Sequence, residues 1–135
     1  VDVYRIGGSS SRPITGPELI ANGTFEANAD GWILGTGWAW NNQRAELTGD
    51  GSAQTLRITN LLTTGTTYII EFDVSASTSS IGVQDRGGTI IPELSGNSGR
   101  VSGLWVADYP HLVFKRLGGI VSGWVDNVSV REYFG

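Results

Sequence analysis

Few residues in this sequence are of types that could carry chemistry. His111 is the single histidine and there is no cysteine, which excludes thiolate nucleophiles, disulfides and zinc–thiolate sites. A Ser-His-Asp arrangement would have to use His111. That residue stands between Tyr109-Pro110 and Leu112, in the approach to a strand, where a histidine is structural or exposed. No Gly-x-Ser-x-Gly elbow, phosphate-cradling loop or His-rich metal motif occurs. Spacing alone does not exclude paired carboxylates for glycoside hydrolysis, yet a single domain this poor in polar catalytic types has little to build a site from. The chain reads as a non-enzyme.

The acidic residues carry more information. If the stretch from Trp124 alternates, Trp124, Asp126, Val128 and Val130 share one face, and two of them are core valines. A carboxylate in that row must be paired, hydrogen-bonded or metal-bound, because burying it bare costs several kcal/mol. Calcium suits such a group, since it takes oxygen ligands; backbone N–H groups or arginines would satisfy it equally. Glu71 and Asp73 form a second acidic row, pointing outward, which could hydrogen-bond a sugar or simply face solvent.

Five tryptophans invite a carbohydrate reading, because sugar rings stack on exposed aromatic faces. Trp38 and Trp40, which share parity within one strand, and Trp124, in line with Val128 and Val130, are nevertheless expected in the core. Trp105 and Tyr109 flank the Ala107-Asp108 turn and are placed for exposure. They would make a glycan or subunit contact, or else pack beneath a loop.

Short strands must position these groups. From residue 18 the apolar pattern has period two. Tyr68, Ile70, Phe72, Val74 and Ala76 share one face of Thr67–Ala76, while Ile69, Glu71, Asp73 and Ser75 share the other. Further strands are expected at 19–21, 38–40, 45–48, 53–59, 81–83, 89–91, 100–106, 112–117 and 124–130. Turn chemistry separates them at Gly49-Asp50-Gly51, Thr64-Gly65, Arg86-Gly87-Gly88 and Gly118-Gly119. No window shows a helical period, and nine or ten short antiparallel strands imply a β-sandwich or barrel. Residues 1–17 differ: Val3, Tyr4 and Ile6 form an apolar arm, followed by a Gly/Ser/Pro linker. Such an arm has either a docking partner or a frayed end. The globular domain is expected over 18–135.

Composition agrees. Val, Ile, Thr, Phe, Tyr and Trp make up 47 of 135 residues, with twenty glycines and only 16% charged residues, an all-β balance. At 14.4 kDa the chain is one domain, large enough for a real core. A net charge of −4 without a basic cluster speaks against nucleic acid and against an anionic membrane surface. No apolar run approaches the roughly 20 residues of a membrane-spanning helix.

Two segments are more specific. One is Glu18-Leu19-Ile20-Ala21-Asn22-Gly23-Thr24-Phe25-Glu26, followed by Asp30-Gly31-Trp32 and Gly35-Thr36-Gly37-Trp38. The other is Gly123-Trp124-Val125-Asp126-Asn127-Val128-Ser129-Val130-Arg131. The pair resembles the family 4/9/22-like carbohydrate-binding modules over about 18–131, in particular the versions found as small domains of bacteriophage virion proteins. The resemblance implies a galactose-binding-like jelly-roll β-sandwich in which the two segments lie side by side. It also implies a structural calcium held by the positions matching Glu26 and Asp126, with backbone carbonyls. The family's glycan platform does not carry over residue by residue.

Two functions follow as expectations. The first is a non-enzymatic virion surface protein, a capsid decoration (cement) or small fibre subunit. It would work as a homo-oligomer, a trimer favoured, or with another virion protein, using the arm at Val3, Tyr4 and Ile6 as an assembly contact. The second is a free-standing or excised, secreted carbohydrate-binding module that serves glycan adhesion.

Overall fold

The computed structural model describes residues 14–48, 55–117 and 122–135. The expected arm contacts Val3, Tyr4 and Ile6, and the Gly49-Asp50-Gly51 and Gly118-Gly119 turns, lie outside these residues.

Ten strands are present among the described residues: β1 (Ile33–Leu34), β2 (Trp38–Asn41), β3 (Arg44–Leu47), β4 (Leu56–Ile58), β5 (Thr67–Ala76), β6 (Ser80–Gln84), β7 (Ile90–Gly96), β8 (Ser98–Val106), β9 (Leu112–Leu117) and β10 (Gly123–Glu132). They form two five-stranded antiparallel sheets, ordered β1-β4-β9-β6-β7 and β2-β3-β10-β5-β8. The chain alternates between the sheets, so most neighbours within a sheet are distant in sequence. This is a jelly-roll β-sandwich, the one of the two architectures left open by the strand pattern that the resemblance implied.

The core lies between the sheets. Tyr68, Ile70, Phe72 and Val74 point into it from β5, and Leu112 and Phe114 from β9. Phe72 meets Phe114 edge-on with ring centroids 4.9 Å apart, and Trp32 packs between Phe25 and Phe114 at 5.0 and 6.2 Å. These rings contribute large apolar areas and favourable tilted geometries.

Several boundaries differ from expectation. Residues 19–21 form no strand, and Ile33–Leu34 forms one instead. Leu19 donates its N–H to the Val130 carbonyl at 2.9 Å, so the segment follows β10 through isolated hydrogen bonds. Strand β7 continues through Pro92 to Gly96. Proline is tolerated because β7 is an edge strand, where a missing donor breaks no ladder. Between β2 and β3, Asn42 and Gln43 both have positive φ, 53° and 59°, the two-residue hairpin turn whose twist suits flanking strands.

Candidate functional site

Strand β10 departs from simple alternation, and this rearranges the expected site. Val125, Val128 and Val130 are buried, whereas Asp126 is half-buried and Asn127 exposed. The register with β5 jumps between Asp126 and Ser129, and Asn127 has φ 49°. A β-bulge at Asn127 therefore resets the parity. Asp126 and Trp124 are not in the core row, contrary to the alternation argument. They face outward with Ser129 and Arg131.

This outward face of the second sheet carries a connected polar network. Asp126 stands opposite Asp73 on β5, and Asp73 opposite Arg100 on β8. The Arg100 guanidinium donates to Asp73 Oδ1 at 3.0 Å and to the Asn127 carbonyl at 3.0 Å, while Asn127 Nδ2 donates to Asp73 Oδ2 at 2.8 Å. One step along, Glu71 accepts from Ser102 Oγ at 3.0 Å and from Arg131 Nη2 at 3.2 Å. At the other end Trp124 is covered by Arg44, whose Cζ lies 4.7 Å from the ring centroid. Arg44 Nε in turn donates to Glu46 at 2.9 Å.

The electrostatics are uneven across this face. Partial burial raises the Asp126 pKa; the Asn127 N–H, which donates to Asp126 Oδ1 at 2.8 Å, works against that rise, and the charges of Asp73 and Glu26 add to it. Burial also acts upward on Glu46, but hydrogen bonds from Asn42, Arg44 and Asn41 outweigh it and hold Glu46 below the usual carboxylate range.

The two segments that carried the resemblance do lie side by side. The Val128 N–H donates to the Gly23 carbonyl at 2.9 Å, and the charge of Glu26 reaches Asp126. Among the described residues no group of three or more His, Asp or Glu side chains is gathered to hold a metal. A cation at Glu26 and Asp126 would need backbone carbonyls to complete its shell.

The aromatic residues sort differently from expectation. Trp32 and Trp38 are buried, but Trp40 is 39% exposed. It shares Trp38's parity, yet β2 is an edge strand and offers less cover there. Its indole N–H donates to the Phe25 carbonyl at 2.7 Å. Trp105 is half-buried against the core from β8. Tyr109 is half-buried, edge-on to His111 at 4.8 Å and near Arg86. The two do not form one exposed platform. His111 Nδ1 accepts from the Asn60 N–H at 2.9 Å, a structural role.

The outer face of the first sheet is closed at its centre. Val113 is 2% exposed although it alternates away from the core residues Leu112 and Phe114. A Cβ at Gly82 would meet the Ser95 Cβ and Ile90 Cγ2 at 2.5 and 2.9 Å. Lys115 Nζ is held by the Gly88 carbonyl at 2.6 Å.

Among solved structures, the chain is similar to the N-terminal cellulose-binding domain of Cellulomonas fimi β-1,4-glucanase C, at 19% identity and a TM-score of 0.56, covering 86% of this chain and 97% of that one. The likeness is one of fold, the two-sheet jelly roll. The CBM22-1 xylan-binding domain from Paenibacillus barcinonensis Xyn10C is similar at 13% identity and 0.55, with 89% and 97% covered. The CBM22-1–GH10 modules of Clostridium thermocellum xylanase 10B, complexed with xylohexaose, match at 17% and 0.53, with 84% of this chain and 28% of that chain covered. Neither a protein-family model nor a curated protein sequence matches the chain.

Proposed function

We propose that this chain is a non-catalytic carbohydrate-binding protein that takes a polysaccharide across the outer face of its second sheet. The observation that carries this reading is the open row of planar polar groups beside Trp124, set against a first sheet whose outer face is filled by Ile90 and Ser95 over Gly82. Across five strands the face is about 19 Å wide, room for several linked sugar rings. A pyranose ring would replace Arg44 on Trp124, and Glu71, Asp73 and Arg100 would exchange hydrogen bonds with its hydroxyls. A glycan array followed by calorimetry on the best ligand tests this. Binding that is lost in Trp124→Ala and weakened in Glu71→Gln supports it, and wild-type affinity in both variants overturns it.

A second reading is structural: a virion surface protein, decoration or fibre subunit, acting as a homo-oligomer. It is supported by Leu104 and Val106, 46% and 59% exposed on edge strand β8, because an apolar edge of this kind is ordinarily covered. A light-scattering mass near that of three chains supports it. A monomer at every concentration overturns self-assembly.

A structural calcium at Glu26 and Asp126 belongs to either reading. The half-buried Asp126 carboxylate among acidic neighbours is the kind of group a divalent cation stabilises.

A further inference from the structure

The ring at the centre of the second sheet's outer face is covered by a cation that is itself held in place. Arg44 lies over Trp124 with Cζ 4.7 Å from the ring centroid, and its Nε donates to Glu46 Oε2 at 2.9 Å. Glu46 has two further donors: Asn41 Nδ2 at 2.9 Å to Oε1 and Asn42 Nδ2 at 3.2 Å to Oε2. Both amides come from the end of β2 and the tight turn into β3, where Asn42 has φ 53°. An isolated surface ion pair gains little because both long side chains must be ordered for it. Here the turn orders the carboxylate, and Glu46 directs the guanidinium onto the ring.

Arg44 has a second carboxylate within reach. Strand β10 pairs with β3 at Gly123 and Leu47, Trp124 and Glu46, and Val125 and Ala45. One further step sets Asp126 opposite Arg44, on the same outward face. Directly opposite positions have Cβ atoms about 5 Å apart and diagonal ones about 7 Å, so the guanidinium can serve either Trp124 or Asp126. The charges of Asp73, Glu26 and Arg44 are all felt at Asp126. A guanidinium moved there would offset two neighbouring negative charges as well as that of its partner. Asp126 Oδ1 accepts the Asn127 N–H at 2.8 Å, and a carboxylate has lone pairs for several donors.

We infer that Arg44 is a two-position gate on Trp124: Glu46 tethers it over the ring in the free protein, and a sugar ring that takes Trp124 sends it to Asp126. This deepens the glycan reading and rests on it for what displaces the guanidinium. The move exchanges one partly exposed ion pair for another. What the sugar forfeits is the cation–π contact, about two- to fivefold in affinity.

NMR of the arginine Nε–H groups in the full chain, with EDTA present, tests the gate without any sugar. In wild type the Arg44 signal is expected upfield of its position in Trp124→Leu, because the ring face shields it. Glu46→Ala should abolish that shift, and a crystal structure of this variant should place the Arg44 guanidinium within about 4 Å of Asp126. In Glu46→Ala/Asp126→Asn the Arg44 Nε–H should exchange with water as fast as that of a free arginine. A signal that stays shielded in Glu46→Ala overturns the tether. An exchange rate unchanged by the added Asp126→Asn overturns the second position. Neither result bears on whether the face binds a glycan, which the array and calorimetry decide separately.

Discussion

Gly23 and Val128 bring the N-terminal and C-terminal motif segments into direct backbone contact. The Val128 N–H donates to the Gly23 carbonyl at 2.9 Å, and a Cβ on Gly23 would fall inside van der Waals contact of the Val128 carbonyl oxygen. A side chain here strikes the Val128 backbone itself. Gly23→Ala should therefore lose about 3 kcal/mol or more of unfolding free energy, since neither segment can relax without breaking the ladder of β10. Urea denaturation measures it, and a loss below about 1 kcal/mol would show that the two segments can separate.

The bulge at Asn127 depends on a residue that tolerates the left-handed region. Its φ of 49° and its Nδ2 bond to Asp73 are both lost or strained in Asn127→Ala, which should cost about 1–2 kcal/mol. Asn127→Gly keeps the backbone conformation and should cost less. The same denaturation experiment ranks the two; an alanine variant as stable as glycine would contradict the strain argument.

Asp126 links stability to pH and to calcium. Its folded pKa is raised, so the folded state holds this proton more tightly than the unfolded chain does. Stability from this group is therefore highest below the unfolded carboxylate pKa and declines as pH rises through the folded one. In a chelator at neutral pH, Asp126→Asn should be neutral or raise Tm, because Asn keeps an acceptor for the Asn127 amide. With calcium added, wild type should gain Tm and the variant should not. Thermal melts with and without EDTA decide this, and no calcium-dependent shift in wild type sinks the cation site.

Trp124 is the aromatic centre of the proposed glycan face. Removing its ring in Trp124→Ala should weaken binding of the best array ligand about tenfold or more, equivalent to about 1.4 kcal/mol. Trp40→Ala, on an edge strand away from the polar network, should leave that affinity within about twofold. Calorimetry on both variants checks the assignment; the reverse order would move the site to β2.

Much of the architecture was legible from local pattern. Alternation from Tyr68 to Val74 marked a half-buried strand because side chains on a strand point to opposite faces at every step. Glycine-rich punctuation placed the turns at Gly65 and Gly88, whose φ values of 90° and 83° other residues rarely adopt. The juxtaposition of Asn22-Gly23-Thr24-Phe25-Glu26 with Val125-Asp126-Asn127 was also visible, through its resemblance to known modules. The face of Asp126 and Trp124 was not, because a bulge adds one residue to one strand and only pairing with β5 reveals it. Asn127 was the available signal, as a residue that adopts positive φ readily.

The sequence by itself determined the all-β class, the buried row of β5, the burial of Trp38, and the scarcity of catalytic groups. These follow from composition and from neighbours two residues apart. Only the tertiary structure decided that Trp40 stays exposed, that Trp105 packs against the core, and that Glu71, Asp73, Arg100 and Arg131 join in one network. Those outcomes depend on which strand lies at a sheet edge and which strands pair across long separations. Arg100 is bound to Asp73 because β8 lies against β5, and nothing within a few residues of either side chain encodes that contact.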